Sequence, residues 1–458
     1  MDETLRAEIT SANKCVDNKN VGNYNVGMDR TEVPSLKLGG GNWVVGERFW
    51  NREAELRLFT ERLDDGAHLL VVAPRRIGKT SLLKEAARRL EGRYLCIYID
   101  LEKAYSAPDA IVELSLAARP HAGLWDKVKS VFRNVLRGTL ESIKIDELTI
   151  TLRSGLTSGD WQAKGDRVLE ILAGHDRPVV LLFDEVPILV NRLLKGGDYE
   201  ITPERRQATD AFLSWVRSNS IRHQGRLRMV ITGSIGLEPL VRQAGLSATL
   251  TTFTSFKLGP WNRETAAGCL RALANGYGLL LRDETVDEML DRLTWYIPHH
   301  VEMFFEHAYQ AARLRNLSEV SKELAAEVYQ ESMLGIRGHA ELSHMEERLK
   351  VVLGPDLDVL ALDLLTEAAV TGGLSPQSAT VLAREYFGED WQGPLRDILN
   401  ILEHDGYLSQ RQGVYEFESG LLRDWWKARF SFAFVPAAKR ETYRRELNRR
   451  GKFGFRAD

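Results

Sequence analysis

The residues best equipped for chemistry are Lys79 and Thr80, which follow a glycine in the run Val71-Val-Ala-Pro-Arg-Arg-Ile-Gly-Lys-Thr-Ser-Leu-Leu83. The apolar stretch from His68 to Ala73 reads as a buried strand. Pro74, Arg75, Arg76, Ile77 and Gly78 read as a tight turn, and Lys79, Thr80 and Ser81 open a helix running to about Leu90. A strand, a tight loop and Gly-Lys-Thr at a helix start are the context of a phosphate-binding loop. Backbone N–H groups of such a loop face an anion, and the helix N-terminus adds roughly half a positive charge. Lys79 would reach the β- and γ-phosphates of a nucleotide, and the Thr80 hydroxyl would ligate Mg²⁺. The pattern G-x-x-x-x-G-K-[ST] is met except at its first glycine, where this chain has Ala73. Gly78, the glycine that meets the phosphates, is present.

Two carboxylates complete the chemistry. Arg177-Pro-Val-Val-Leu-Leu-Phe-Asp-Glu185 is a continuous apolar strand ending in Asp184 and Glu185. A run buried on both faces fits a central parallel strand, and ligands bind at the carboxyl ends of such strands. Asp184 would hold Mg²⁺ directly or through water. Glu185 would orient and deprotonate an attacking water.

The elements that must position these groups follow from periodicity. Leu56, Phe59 and Leu63 recur at helical spacing. Strands are expected at Tyr94 to Leu101, Leu227 to Thr232 (ending at Gly233-Ser234) and Phe253 to Leu258. Helices are expected over 105–140, Trp161 to Leu172 and Glu204 to Asn219. Ser142 to Leu152 alternates polar and apolar residues, which suggests a β-hairpin insertion. Alternating strands and helices imply an α/β fold with a parallel, helix-covered sheet. From Asn262 to about Gly335 the pattern turns helical. Three helices near 356–370, 375–386 and 391–405 then precede a strand-turn-strand from Gly406 to Phe417, a winged-helix pattern. The expected division is a flexible N-terminal arm over 1–41, a core over 42–260, a helical lid over 261–337, a winged-helix domain over 338–434 and a basic C-terminal tail over 435–458.

Composition sets bounds. An apolar content of 44% supports true cores, and 9% aromatics argue against a largely disordered chain. A net charge of −3 advertises neither nucleic acid nor an anionic membrane. Cys15, Cys96 and Cys269 are scattered, with no CxxC, which fits reduced thiols in a cytoplasm and no cysteine zinc site. No apolar run reaches the ~18 residues of a membrane helix, and the start MDETLRAE has no signal-peptide character.

Taken together, Phe49-x-x-Arg52-Glu53-x-Glu55-Leu56, Pro74-Arg-Arg-Ile-Gly-Lys-Thr-Ser-Leu-Leu83, Phe183-Asp-Glu185 and Thr232-Gly-Ser234 resemble the archaeal-type ATPase family. That family lies in the STAND branch of P-loop NTPases, close to AAA+ proteins, and the resemblance runs from about Val44 through the winged helix. It implies a five-stranded core, a helical lid, a C-terminal winged helix, and ATP with Mg²⁺ as ligands. It places Phe49 to Arg52 near the adenine, and Asp184 and Glu185 as metal-binding and catalytic acids. Ser234 becomes a polar sensor of the γ-phosphate. Tyr296-Ile297-Pro298-His299 falls at a turn over the base that usually carries two glycines, both absent here.

Other charged groups admit several roles. Arg75 and Arg76 could stabilise a γ-phosphate or brace the loop. Arg222, Arg226 and Arg228 lie where a neighbouring subunit's arginine finger would originate. His299 and His300 read as packing or hydrogen-bonded residues rather than metal ligands, and Trp425 and Trp426, with Phe430 and Phe432, as core or interface aromatics. The presumed recognition helix, Trp391 to Asp405, carries Asp397, Glu403 and Asp405 against Arg396, a poor match to phosphate-dense DNA. The leading expectation is an ATP-driven switch, slow in hydrolysis, with ATP/ADP and a homo-oligomer or protein partner, and no membrane. The alternatives are a DNA-binding AAA+-like loader or transposition-type regulator, with the winged helix and basic tail gripping DNA, and a nucleotide-binding scaffold with negligible turnover.

Overall fold

The computed structural model describes residues 34–133, 145–157 and 159–451. In chain order, α1 (Glu53–Asp64), β1 (His68–Val72), α2 (Lys79–Arg89), β2 (Leu95–Asp100), α3 (Ala107–Ala117), α4 (Ala122–Val131), α5 (Ile145–Ser154) and α6 (Trp161–Ala173) come first. Then follow β3 (Val179–Asp184), α7 (Val186–Lys195), α8 (Pro203–Arg222), β4 (Leu227–Ile231), α9 (Leu237–Gln243) and β5 (Phe253–Lys257).

These strands form one five-stranded sheet in the order β2-β3-β4-β1-β5, with every pair parallel. Period-two alternation sends each strand's residues to two different cores. Val179, Leu181 and Phe183 of β3 join Ile97, Ile99, Met229 and Ile231 against the helices α3 to α8. Val180 and Leu182 join Leu69, Val71 and Val230 against α1 and α2. A sheet covered on both faces explains why its central strands are unbroken apolar runs.

The expected hairpin at 142–152 is instead the helix α5, over its described part. Leu148 and Leu152, four residues apart, are buried, while Ile150 between them is exposed. The helical face captured by the core overrides the β-branched alternation.

Beyond β5 the chain continues through α10 (Arg263–Tyr277), β6 (Leu280–Leu281), α11 (Asp283–Leu293), α12 (Pro298–Leu314), β7 (Glu319–Val320), α13 (Lys322–Val328) and α14 (Ile336–Leu353). Strands do not vanish here: β6 and β7 make a short parallel pair. Next are α15 (Pro355–Thr371), α16 (Pro376–Phe387), α17 (Gln392–His404), the antiparallel hairpin β8 (Leu408–Arg411) and β9 (Val414–Phe417), α18 (Gly420–Phe430) and α19 (Ala437–Gly451). Helices α10 to α18 share one continuous apolar core, in which Trp425 and Trp426 are buried.

Two segments are more ordered than composition suggested. Leu36 is buried in that core and donates its N–H to the Ala272 carbonyl at 2.9 Å, so the end of the presumed arm is anchored on α10. The basic C-terminal stretch forms α19, where Arg440 pairs with Asp363 and Glu385. Cys15 lies outside the described residues. Cys96 is half-buried, its thiol pushed up to about 12 chiefly by burial, and Cys269 is buried; neither is a reactive thiolate at neutral pH. No helix among the described residues is long and apolar enough to cross a membrane.

Candidate nucleotide-binding site

The topology brings the chemistry together. Because β4 lies between β1 and β3, the carboxyl ends of all three deliver their loops to one edge of the sheet. These are the loop 73–78, Asp184-Glu185 and Ser234. Gly78 adopts φ +92°, a left-handed conformation that admits glycine without strain. A Cβ there would meet nothing within 4 Å, so the requirement is for backbone angle, not for space. No side chain caps α2, which leaves its first-turn N–H groups for an anion.

Beside this loop is a cavity of about 380 Å³, within the roughly 300–1,000 Å³ of small-molecule sites. Arg75, Arg76, Ile77, Gly78, Lys79, Thr80 and Ser81 line one part. Phe49, Arg52, Trp261, Pro298 and His299 line another, and Glu185 and Ser234 also face it. Of the phosphate-loop residues and the two carboxylates anticipated from the sequence, all line it except Ala73, Pro74 and Asp184. Those three act from outside the lining. The carbonyls of Ala73 and Pro74 accept from Lys79 Nζ at 3.2 and 2.9 Å. Burial lowers Lys79 to about 8, a fall that Glu185 and Asp184 oppose.

Asp184 is buried and gathers three donors. Thr80 Oγ1 donates to its Oδ2 at 3.0 Å, the Tyr98 hydroxyl donates to the same oxygen at 2.6 Å, and the Glu185 N–H donates to Oδ1 at 3.1 Å. Thr80 thus keeps lone pairs for a cation while its proton is held. These are the hard oxygen ligands that suit Mg²⁺. Tyr98 is raised first by burial and then by Asp184, and it stays a protonated donor.

Glu185 sits at φ 58°, ψ 28°, a left-handed conformation that costs a non-glycine residue roughly 1–3 kcal/mol and is concentrated at functional sites. Its Oε2 accepts from the Ser234 N–H at 3.0 Å and the Ser234 hydroxyl at 2.8 Å. Arg348 of α14 lies 3.7 Å from the same oxygen. Burial raises the Glu185 pKa, and Ser234 and Arg348 oppose that rise. Gly233 is needed for this approach, since a Cβ would lie 2.4 Å from Pro187 Cδ at the start of α7.

The remaining anticipated residues brace the cavity. Arg52 is buried, pairs with Glu55 at 2.7 Å and donates to the Ile77 carbonyl at 3.4 Å, so it steadies the loop from behind. Ser81 Oγ accepts the Val44 N–H at 3.1 Å, and Glu85 accepts the Gly46 N–H at 2.9 Å. Arg88 above all holds the Glu85 carboxyl down to about 2. Residues 43–46 are thereby strapped along α2, with Lys84 4.3 Å over the Trp43 ring.

The arginine-finger expectation fails for Arg228, which is buried with its Nε donating to the Leu63 carbonyl. Arg222 pairs with Asp166, and Arg226 is held by the carbonyls of Ala173 and His175. All three precede or begin β4, at the end of the strand away from the loop 73–78. Among the described residues no group of three or more His, Cys, Asp and Glu could hold a metal ion.

Sequence reasoning missed Tyr98, Glu85 and Arg348. Tyr98 was accessible in principle: it lies two residues before Asp100 on the strand paired with β3, in register with Leu182. Arg348 carries no local signal.

No family model matches the sequence, and no curated protein matches it. Among solved structures, the chain is similar to a Walker-type ATPase of Pyrococcus abyssi, with 18% identity, 84% of this chain and 98% of that chain covered, and a TM-score of 0.54. It is more distantly similar to the ORC2 protein of Aeropyrum pernix (13% identity, 83% and 93% covered, TM-score 0.45). The Holliday junction branch migration motor RuvB of Thermotoga maritima stands at a similar distance (13% identity, 85% and 97% covered, TM-score 0.41). The last two are too remote to bear on function. The likeness to the Pyrococcus protein is one of fold: this chain has the five-stranded parallel α/β fold of a Walker-type ATPase.

Proposed function

We propose that this protein is a Mg²⁺-dependent, ATP-binding molecular switch of STAND/AAA+-like type that hydrolyses ATP slowly. The observation that carries the reading is the convergence of Thr80, Asp184, Glu185 and Ser234 beside a glycine-capped, side-chain-free helix N-terminus. The loop 73–78 and Lys79 grip the phosphates. Phe49, Arg52 and Pro298 border the base. Thr80 and Asp184 would hold Mg²⁺, which would supply neutralisation of the phosphate charge. Glu185 takes the proton of the attacking water, and Ser234 fixes the carboxylate and reports the third phosphate. Lys79, already buried and short of counter-charge, regains full basicity beside phosphate.

The switch reading draws support from how the end of α17 meets the core, and the assignment of α15 to β9 as a winged helix from three helices followed by an antiparallel hairpin. Asp405 Oδ1 accepts the Gly236 N–H at 3.0 Å, two residues from Ser234. Gly406 packs so closely on Pro74 that a Cβ would lie 3.3 Å from it. The sensor loop and the phosphate loop therefore both touch the end of the presumed recognition helix. A nucleotide that moves either loop alters that contact. The test is mass in solution, with hydrogen exchange of α17, under ADP and under a non-hydrolysable ATP analogue. The proposal expects a change in one or both, and identical mass and exchange in both states oppose it.

A second reading, a DNA-binding loader, rests on α19, whose sequence carries Lys439, Arg440, Arg444, Arg445, Arg449 and Arg450 against Glu441 and Glu446. The docking of α17 on the core weighs against it, since that helix is the one that would enter a groove.

A further inference from the structure

The part of the cavity remote from the phosphate loop is built by the segment preceding α1 together with α10 and α12. Three contacts lay that segment along α10. The Leu38 N–H donates to the Tyr277 hydroxyl at 3.3 Å, the Trp50 indole to the Thr265 carbonyl at 3.1 Å, and Asn51 Nδ2 to Thr265 Oγ1 at 3.1 Å. Between these anchors the chain reverses at Gly39-Gly40-Gly41-Asn42, where the Asn42 N–H donates to the Gly39 carbonyl at 3.4 Å. Gly40 and Gly41 have φ of +63° and +77°, two successive left-handed residues in a tight turn, which glycine adopts without steric cost. Gly41 and Asn42 line the cavity.

This turn meets Glu302. A Cβ on Gly39 would lie 2.6 Å from Val44 Cγ1 and 3.6 Å from Glu302 Oε2. Glu302 stands one turn beyond Pro298 on α12, so the two share a face of that helix, and both line the cavity. The Trp261 N–H donates to the Tyr296 carbonyl at 3.0 Å, which fixes the entry into α12. Burial pushes the Glu302 carboxyl up, and the Gly39 N–H opposes that rise. Burying a carboxyl is costly unless its oxygens meet donors, and it has lone pairs for more than one.

Charge makes the position informative. Among the described residues lining the cavity, the acids are Glu185 and Glu302, against Arg48, Arg52, Arg75, Arg76 and Lys79. Such a cavity suits a polyanion, and a carboxylate in it opposes the ligand unless the ligand turns a donor toward it. Away from its phosphates a nucleotide offers an exocyclic amino group and ribose hydroxyls. Glu302 shares its helix face with Pro298, which borders the base, and this favours the amino group.

We propose that Glu302 is a specificity-determining residue, accepting a hydrogen bond from the exocyclic amino group of adenine and thereby selecting adenine over purines with a carbonyl at that position. The inference rests on the reading of the cavity as an ATP site. Hypoxanthine and guanine carry an oxygen where adenine carries the amino group. That oxygen meets the carboxylate acceptor to acceptor and leaves it without its partner.

The experiment measures, by calorimetry, the affinities of full-length wild type, Glu302→Gln and Glu302→Ala for ADP, IDP, GDP and dADP with Mg²⁺. Diphosphates make the readout independent of turnover. Wild type is expected to bind ADP about tenfold or more tighter than IDP and GDP. Glu302→Ala should bring the three within about threefold of one another. Glu302→Gln keeps the shape of the side chain, and its amide can accept from an amino group or donate to a carbonyl. It should hold ADP within about threefold of wild type and lose the discrimination against IDP. An ADP-to-IDP ratio that is the same in all three proteins overturns the proposal. So does a wild-type preference for GDP, or a preference for ADP over dADP that Glu302→Ala abolishes while base selectivity survives, which would place the carboxylate on the ribose. Wild type that binds none of the four overturns the ATP-site reading, and this inference with it.

Discussion

Lys79 should destabilise the protein that it equips for binding, and the size of the effect can be worked out. Its side chain is 9% exposed, and its pKa falls from 10.5 to about 8, chiefly because burial disfavours the ammonium. A drop of that size corresponds to a penalty of about 3 kcal/mol at neutral pH. Two hydrogen bonds, to the Ala73 and Pro74 carbonyls, return about 1 kcal/mol each. Replacing Lys79 by Met, of similar shape and without the charge, should therefore stabilise the nucleotide-free protein by about 1–2 kcal/mol at pH 7. The sign of the pH dependence is fixed. Between pH 8 and 10.5 the unfolded chain keeps this proton and the folded one has lost it, so wild-type stability rises with pH relative to Lys79→Met. Urea unfolding of both proteins from pH 7 to 10, without nucleotide, measures the difference directly. Lys79→Met should also lose ATP binding. A variant less stable than wild type at pH 7, with a difference that stays flat to pH 10, refutes the reasoning.

Other outcomes follow from the same geometry. Tyr98→Phe removes one of three donors on Asp184 and should raise the Mg²⁺ concentration for half-maximal turnover by about tenfold, with little change in ATP affinity without metal; an unchanged Mg²⁺ requirement contradicts the assigned role. Gly236→Ala would place a Cβ 2.3 Å from His404 Nδ1, so α17 should loosen from the core and exchange its amide hydrogens faster, while ATP still binds. Gly165→Ala would meet Trp215 at 2.7 Å and Ile111 at 2.8 Å, and should cost about 1–3 kcal/mol in unfolding without altering nucleotide affinity. If α19 grips nucleic acid, DNA binding by the full chain should fall with salt and weaken on replacing Arg444 and Arg445 by Glu; absence of binding at low salt removes the loader reading.

Much of the core was legible in the sequence because its signals are local. The run from Val179 to Phe183 is apolar throughout because both faces of β3 are covered, and the carboxylates Asp184 and Glu185 mark where the sheet meets the cavity. Gly78 and Lys79 declare a strand-loop-helix within the thirteen residues from Val71 to Leu83. The failures have physical causes too. Ser142 to Leu152 alternates like a strand, yet Leu148 and Leu152 found a core on one helical face. Leu36 lies in a polar stretch and is anchored only because α10 offers it a backbone acceptor 236 residues away. Arg348 reaches Glu185 through the packing of α14 on α7, which no spacing within either helix announces. The three arginines that precede or begin β4 looked like fingers by position, but their partners Asp166, Ala173, His175 and Leu63 lie outside that segment.

The central claim is that Glu185 activates water against ATP held in the cavity beside Lys79. Single-turnover ATP hydrolysis by wild type and Glu185→Gln, each at saturating Mg·ATP with affinity measured on the same samples, tests it most directly. The amide keeps the size and the hydrogen-bond acceptor for Ser234 but cannot take a proton. The expected result is an affinity within about threefold of wild type and turnover lower by about a hundredfold or more. Equal turnover in the two proteins, or no ATP binding by wild type, contradicts the account.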